Sequence, residues 1–300
     1  MQLAEGSVWP AMLTPLDDDG TPRLSVIDRL VDVFVQQELG GLYVLGSTGQ
    51  GILLPVETRR QVAKRVVQAA AGRIPVMLHV GAVATDDAVA LAEHAAEIGA
   101  DAVSSVPPIY YPARFDAVLE HYRRVGSATD LPFFPYHASF LAQALPPAAQ
   151  YAEQLLDLPN VAGMKFTDHN MYVLGLLHEY SGGRLFLFSG ADELLCQAAV
   201  SGASGAIGSF YNVFGDVCQQ VRQAFVAGDV QRGRRFMLCF QRTIDSILVR
   251  GGPWGFFRQA MQQKYDLDVG PPRAPLAVCE PPWDPADVER IIQEVETAAQ

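Results

Sequence analysis

The chain has 300 residues, 49% of them hydrophobic and 18% charged, which is typical of a globular protein with a sizeable core and excludes a disordered chain. Its formal net charge of -11 argues against nucleic acid as a partner, because binding to the phosphate backbone needs clustered lysine and arginine. No run reaches the ~18 apolar residues of a membrane helix, and the first residues lack the pattern of a secretion signal, so we expect no membrane partner and a cytoplasmic location.

Eight short apolar runs alternate with longer segments of helical periodicity, which is the pattern of repeated βα units around a parallel sheet. The predicted strands cover residues 8–13, 41–45, 75–80, 102–105, 132–136, 161–165, 185–189 and 205–208. Between them, clear helices are predicted over residues 25–38, 55–71 and 85–98, the last closed by Gly99. Eight units favour a (β/α)8 TIM barrel, with a doubly wound open sheet as the alternative, because one sequence does not reveal strand order.

A helical extension follows the last predicted strand. From about residue 213 the pattern is helical only, and a proline-rich connector at 270–282 leads into a final helix. Asp284 is suited to cap that helix and Pro285 to its first turn, and it carries one apolar stripe formed by Val288, Ile291, Ile292 and Val295. We therefore predict a barrel over residues 1–215 and an extension over residues 216–300 that packs on the barrel.

Lysine is rare in this chain, which has 19 arginines and three lysines. Lys64 and Lys264 lie in polar helical stretches, where each has an ordinary structural role. Lys165 instead ends the apolar run 161–165, so its amine is predicted to enter the barrel mouth, where burial favours the uncharged, nucleophilic form. The alternative is an ion pair with a nearby carboxylate such as Asp168, but barrel enzymes place their chemistry at the carboxyl ends of strands.

Other strand ends carry groups that a Schiff-base lysine could use. Strand two runs into a glycine-rich turn, residues 46–51, whose amides and hydroxyls could hold a carboxylate, although a plain βα turn explains the glycines equally well. Strand five ends in Tyr136, whose phenol could relay a proton or could simply be packed. Asp192 and Glu193 follow strand seven and suit the hydroxyl donors of a sugar, although they could also serve the dipole of the following helix.

Metal ligands are not predicted. The cysteines are at least ~20 residues apart, with no Cys-x-x-Cys pair and no histidine at the spacing of a zinc finger. We therefore expect no metal and no cofactor, and His79 is predicted to be a hydrogen-bonded core histidine.

Together these motifs resemble the pyruvate-dependent class I aldolases of the N-acetylneuraminate lyase and dihydrodipicolinate synthase family. The resemblance extends from residues 10–15 to residues 270–273 and is carried by Gly-Ser-Thr-Gly at 46–49, Pro-Ile-Tyr-Tyr-Pro at 108–112, Gly-Met-Lys-Phe-Thr-Asp at 163–168 and residues 205–212. It implies that Lys165 forms the Schiff base and that Tyr136 shuttles the proton. It also implies a carboxylate site at Ser47 and Thr48. The positions that match sugar contacts are Thr167, Tyr172, Gly190, Asp192, Glu193 and Ser209.

The resemblance also implies an assembly. Tyr111 matches a tyrosine that completes the proton relay of a neighbouring subunit, which implies a homo-oligomer, usually a tetramer built as a dimer of dimers. Within the family, Tyr136-His137 followed by Leu141 resembles the sialic acid lyases, and this loop lacks the arginine with which the synthases bind a second carboxylate. The predicted reaction is therefore reversible cleavage of N-acetylneuraminate to pyruvate and N-acetylmannosamine.

The sequence departs from the lyases at three places. Gln50 stands where the family usually has Glu, Phe210 where the lyases commonly have Thr, and residues 138–142 lack the usual lyase pattern, which predicts a bulkier or drier pocket. Three alternatives stay open. They are an aldolase or dehydratase acting on another 2-keto-3-deoxy sugar acid, a synthase-like enzyme that condenses pyruvate with an aldehyde, and a catalytically silent protein that binds pyruvate or sugar acid.

Overall fold

A computed structural model describes residues 3–110, 114–139, 145–277 and 280–300. The described residues form eight strands, one in each predicted run, so the strand prediction is confirmed. The strands are β1 (Val8–Pro10), β2 (Leu42–Val44), β3 (Val76–His79), β4 (Ala102–Ser105), β5 (Phe133–Ala138), β6 (Gly163–Thr167), β7 (Phe186–Ser189) and β8 (Gly205–Gly208).

All strand pairs are parallel, and the order around the sheet is β1-β8-β7-β6-β5-β4-β3-β2. A parallel bridge between Ala11 and Tyr43 joins the two ends of this order, and the Met12 amide donates to the Tyr43 carbonyl at 2.9 Å. Each strand therefore lies beside its neighbours in sequence, as in a closed (β/α)8 TIM barrel. The alternative of an open, doubly wound sheet is wrong.

Eight helices of the described residues follow the strands. They are α1 (Leu24–Gln36), α2 (Val56–Ala70), α3 (Thr85–Glu97), α4 (Phe115–Gly126), α5 (Ala148–Leu156), α6 (Met171–Ser181), α7 (Leu195–Val200) and α8 (Tyr211–Val226). The three helices predicted most clearly are confirmed to within two residues at each end. Gly99 has a φ of +80° and donates its amide to the Ala96 carbonyl, as expected of a left-handed residue that closes a helix.

The helical extension consists of α9 (Val230–Val249), α10 (Trp254–Tyr265) and α11 (Pro285–Ala298). Asp284 accepts a hydrogen bond from the Ala286 amide at 2.9 Å, which confirms the predicted cap, and the predicted apolar stripe of α11 is buried. None of the helices in the described ranges is long and apolar enough to cross a membrane.

The barrel and the extension meet within α8. Phe214 has non-helical angles (φ -119°, ψ 19°), so α8 bends next to residue 215, where the sequence places the division. Beyond this bend, the Lys264 amine of α10 donates to the Val213 carbonyl and pairs with Glu296 of α11 at 2.9 Å. We propose that the barrel covers residues 1–215 and the extension residues 216–300. The helix α8 continues across this division, and at Phe214 its hydrogen bonding is kept, because the Phe214 amide donates to the Phe210 carbonyl at 2.9 Å.

Candidate active site

The alternation of β6 directs Lys165 into the barrel. Its neighbours Met164 and Phe166 belong to the apolar layer between strands and helices, so the side chain between them faces the other way. Lys165 is 5% exposed, and its Nζ lies 4.1 Å from the ring centroid of Tyr43 and 4.3 Å from that of Tyr136. The amine predicted to be the nucleophile is therefore enclosed by two aromatic rings.

No carboxylate among the described residues lies within ion-pair distance of Lys165. Asp168, three residues after the end of the predicted strand, instead pairs with His137, whose Nε2 lies 3.2 Å from its Oδ2. The His137 ring is itself stacked on Phe166, with the ring centroids 4.7 Å apart. The alternative in which Asp168 neutralises Lys165 is therefore wrong.

Tyr136 lies next to Lys165 in the register of β5 and β6. Its side chain is 3% exposed, and its hydroxyl accepts a hydrogen bond from Thr167 Oγ1 at 3.3 Å. The Tyr43 ring packs edge-on against the Tyr136 ring, with the ring centroids 6.3 Å apart, and its hydroxyl is hydrogen-bonded to Ser104 Oγ at 3.1 Å. Burial raises the pKa of Tyr43 well above its usual value, and the nearby Tyr136 raises it further.

The turn after β2 is held in a strained shape. Leu45 and Gln50 both have positive φ, of 62° and 58°, and a side chain at Gly51 would lie 1.9 Å from the Leu45 carbonyl oxygen. The Thr14 hydroxyl donates to the Gly49 carbonyl at 2.6 Å. Within this turn Thr48 is buried, whereas Ser47 is exposed.

Thr48 connects this turn to the end of β8, because its Oγ1 lies 2.6 Å from the Ser209 hydroxyl. The two hydroxyls were predicted on separate grounds, one for a carboxylate and one for a sugar. The barrel places them in hydrogen-bond contact, at the carboxyl ends of strands that are not neighbours. A ligand at either hydroxyl would therefore meet the other.

Two glycines leave space for the site. A side chain at Gly190 would lie 1.8 Å from Thr167 Oγ1 and 3.2 Å from Lys165 Cε, so only glycine leaves Lys165 and Thr167 in place. A side chain at Gly208 would lie 1.7 Å from Asp192 Oδ1. The Asp192 Oδ2 accepts a hydrogen bond from the Phe210 amide at 2.7 Å.

Burial raises the pKa of Asp192 to about 7, with the Phe210 amide and Lys165 opposing the shift and Glu193 adding to it. An unfolded chain gives up this proton near the ordinary value of 3.8, so burying Asp192 costs more free energy as the pH rises from about 4 to 7. We expect Asp192→Asn to gain stability relative to the wild type over that range, by about 1–3 kcal/mol. Urea unfolding at several pH values measures the difference.

Asp168→Asn is the matched control for this pH series. Burial alone would raise the pKa of Asp168, but hydrogen bonds from the Asn170 amide and from His137 outweigh it and lower the pKa. The stability that this carboxylate contributes is therefore lost only as the pH falls below its ordinary range. A flat difference between Asp192→Asn and wild type from pH 4 to 7 would contradict the raised pKa of Asp192.

The remaining predicted sugar contacts lie at the rim of the barrel. Glu193 Oε1 is 2.6 Å from His169 Nε2, and the Glu193 carbonyl accepts a hydrogen bond from Gln241 of α9. Tyr172, in the first turn of α6, is 75% exposed. Tyr111 and Leu141 lie outside the described residues. The structure thus brings Lys165 together with its predicted neighbours at the strand ends and leaves Glu193 and Tyr172 farther out.

His79 joins two of the strand ends and was predicted only as a core residue, which the structure confirms. Its Nε2 accepts the Val106 amide at 3.3 Å, so its Nδ1 carries the proton and donates to the Leu45 carbonyl at 3.2 Å. Arg59 donates to the His79 and Gly81 carbonyls from α2. Burial lowers the pKa of His79 well below its usual value, and Arg59 lowers it further, so the neutral ring fixes the turns after β2 and β4.

Phe210 does not act as expected from its position in the motif. Its ring is 5% exposed and packs against Phe240 of α9 and Phe257 of α10, in the interface between the barrel and the extension. The Phe210 ring thus contributes to this interface, and the bulkier or drier pocket expected from the three departures together stays a prediction. Gln50 is also engaged outside the barrel, since its Oε1 accepts a hydrogen bond from the Arg273 amide at 2.6 Å.

Within the described residues, no group of three or more His, Cys, Asp or Glu side chains is placed to hold a metal ion. Cys196, Cys218 and Cys239 are free thiols buried among apolar neighbours, and Cys279 lies outside the described residues. These cysteines contribute to packing.

Comparison with known proteins gives one family. The model of the dihydrodipicolinate synthetase family matches residues 4–293. An N-acetylneuraminate lyase of Pongo abelii is 34% identical over 272 residues, or 89% of this chain and 85% of that protein. An N-acetylneuraminate lyase of Escherichia coli (strain SMS-3-5 / SECEC) is 32% identical over 98% of this chain and 95% of that protein. The wild-type Ruminococcus gnavus sialic acid aldolase superposes with a TM-score of 0.90 at 25% identity and covers 99% of this chain and 98% of its own.

Proposed function

Because this chain belongs to the dihydrodipicolinate synthetase family, we propose that it is a Schiff-base aldolase that cleaves N-acetylneuraminate reversibly to pyruvate and N-acetylmannosamine. The curated relatives named above are N-acetylneuraminate lyases and align with most of the chain. The observation that carries the proposal is the position of the Lys165 amine, which lies between the Tyr43 and Tyr136 rings without a carboxylate partner among the described residues.

The first step is attack of the Lys165 amine on the keto carbon of the open-chain sugar acid. Loss of water then gives an iminium ion, with the nitrogen bonded to the second carbon of the substrate. Thr48 and Ser47 bind the adjacent carboxylate through their hydroxyls and the amides of the turn. Support for this placement comes from the contact of Thr48 with Ser209 and from the glycine at 190, which leaves space beside Lys165 Cε.

The second step breaks the bond between the third and fourth carbons. The hydroxide expelled in the first step leaves as water with the proton of the Tyr136 phenol. The resulting phenolate accepts the proton of the fourth-carbon hydroxyl, and the electron pair of the broken bond moves into the iminium to form an enamine. The aldehyde formed in this step is N-acetylmannosamine. Thr167 donates to the Tyr136 hydroxyl and so holds the phenolic oxygen with its free lone pair available for the proton.

The last steps release pyruvate. The enamine takes up a proton at the third carbon, and water hydrolyses the resulting iminium to pyruvate and the free Lys165 amine. The Tyr136 phenol gives its proton to the enamine. The phenolate then takes a proton from the attacking water, which restores the starting state of both residues. Every proton taken by the protein is therefore returned within one turnover.

Sugar hydroxyls bind at the strand ends that follow β7 and β8. Asp192 and Ser209 contact them near Lys165, and Gly190 and Thr167 line the space between. Glu193 and Tyr172 bind the distal end of the sugar chain from the rim. The enclosed position of Asp192 and the open position of Tyr172 support this order.

We also retain the cytoplasmic location and the homotetramer as proposals. In the tetramer, Tyr111 of one subunit completes the proton relay of its neighbour. The acidic net charge of -11 supports a freely dissolved protein rather than one bound to nucleic acid.

A panel of 2-keto-3-deoxy sugar acids tests the substrate assignment through pyruvate release. N-acetylneuraminate should be cleaved with the highest kcat/KM, and equimolar N-acetylmannosamine should accumulate. If a shorter sugar acid is cleaved and N-acetylneuraminate is not, the protein is instead an aldolase for that related 2-keto-3-deoxy sugar acid. Absence of release from every acid, together with retained pyruvate binding, would identify a silent binding protein.

A further inference from the structure

A large groove lies on the extension and shares no lining residue with the candidate active site. It runs between α9 and α11, has a volume of about 1010 Å³, and ends against the ring of Trp283. The face of α9 that lines it carries Arg235, Cys239, Arg242, Ser246 and Arg250. A groove of this size accommodates a small molecule.

The groove is lined with positive charge in a chain whose net charge is -11. Four arginines line it, whereas Glu294 is the single carboxylate among its described lining residues. Two of the four are already paired at one end, since Arg290 binds Glu294 at 3.0 Å and Arg250 lies 3.5 Å from Asp287. Arg250 also covers the Trp283 ring at 4.0 Å.

The other two arginines have no partner. Neither the Arg235 nor the Arg242 side chain makes an ion pair or a hydrogen bond within residues 3–110, 114–139, 145–277 and 280–300. They are seven residues apart on α9, which is about two turns and roughly 10 Å along the axis, so both point to the same side. Their flexible side chains, each several ångströms long, are able to converge on one ligand between them.

We propose that this groove binds a small polyanion with adjacent phosphate groups, held between Arg235 and Arg242. Guanidinium groups match phosphate oxygens with two parallel hydrogen bonds, and two of them need a ligand with at least two anionic groups. A single phosphate ion reaches only one of them. The hydroxyls of Ser246 and Thr243, which also line the groove, supply further hydrogen bonds to such a ligand.

Isothermal titration calorimetry of the whole protein at about 50 mM salt tests this site, because higher salt screens exposed charges. The probes are phosphate, pyrophosphate, tripolyphosphate and ATP. Tripolyphosphate and ATP both carry three linked phosphates, so comparing them shows whether an attached nucleoside changes binding. We expect one pyrophosphate or tripolyphosphate per chain, bound at least tenfold more tightly than phosphate. The double variant Arg235→Gln/Arg242→Gln should bind both at least tenfold more weakly.

Arg234→Gln is the matched control, because Arg234 is exposed on the same helix, lines a different groove and carries the same charge. It should change the affinity by less than about twofold, as expected for an exposed charge that does not line this groove. Thermal unfolding of the double variant and of Arg234→Gln confirms that each is folded. Wild-type affinity for pyrophosphate and tripolyphosphate no better than for phosphate would overturn the proposal. So would an equal loss in Arg234→Gln, since binding would then follow net charge.

Discussion

Lys165→Met should abolish pyruvate release, lowering kcat by at least about 10⁴-fold, because the thioether does not form a Schiff base and the other two lysines, Lys64 on α2 and Lys264 on α10, lie on helices outside the ring of strands. The variant should fold normally. Met has a similar length and volume to Lys, and the change removes a buried amine that has no carboxylate partner among the described residues. Steady-state kinetics and urea unfolding measure the two effects.

Lys264→Met is the control with the opposite pattern. The Lys264 amine binds Glu296 and the Val213 carbonyl and lies 3.6 Å from Asp216, so its loss should destabilise the extension by about 1–3 kcal/mol. Its kcat should stay within about twofold of the wild type, since Lys264 lies far along the chain from the strand ends that carry the site. Pyruvate release by Lys165→Met at more than about 10⁻⁴ of the wild-type rate would contradict a covalent role for this amine.

Tyr136→Phe should lower kcat by about 10²–10⁴-fold, because the phenol that takes and returns the proton is lost. Formation of the Schiff base with pyruvate should survive, since the ring beside Lys165 is retained. The substitution also removes the hydroxyl that accepts the hydrogen bond of Thr167 Oγ1. Single-turnover kinetics separate Schiff-base formation from carbon-carbon cleavage and locate the defect in the second step.

Tyr43→Phe is the matched control for this variant. The Tyr43 ring is as close to Lys165 as that of Tyr136, but its hydroxyl is committed to Ser104. Its loss should lower kcat by less than about tenfold. Equal losses in the two variants would show that the rings serve only to enclose the amine.

The barrel was predictable because its signals are local. Apolar runs identified all eight strands, and Asp284, Pro285 and the apolar stripe that follows identified α11. The position of Lys165 at the end of an apolar run was enough to predict an enclosed amine. These features depend on a few consecutive residues and on the alternation of side chains along a strand.

Pairings between distant residues were not predictable in the same way. Asp168 lies three residues from Lys165 in sequence, yet it binds His137 on the neighbouring strand, because β6 directs Lys165 inwards and Asp168 follows after the strand has ended. The second ring beside Lys165 belongs to Tyr43 of β2, which precedes β6 by four strands along the chain. Closure of the barrel through Ala11 and Tyr43 brings it there.

The direction of the Phe210 side chain was also not predictable from the sequence motif. Its place after β8 suggests a side chain that lines the pocket, but the bend at Phe214 and the aromatic cluster of α9 and α10 draw the ring outwards. Only its amide serves the site, through the hydrogen bond to Asp192. The partners that decide its direction are 30 to 47 residues away, since they are Phe240 and Phe257.

Reductive trapping tests the central proposal most directly. The protein is incubated with pyruvate and borohydride, digested, and analysed by mass spectrometry. The account predicts a reduced pyruvyl adduct on the peptide that contains Lys165, one per chain, and none on the peptides that contain Lys64 or Lys264. An unmodified Lys165 peptide in protein that has bound pyruvate would contradict it.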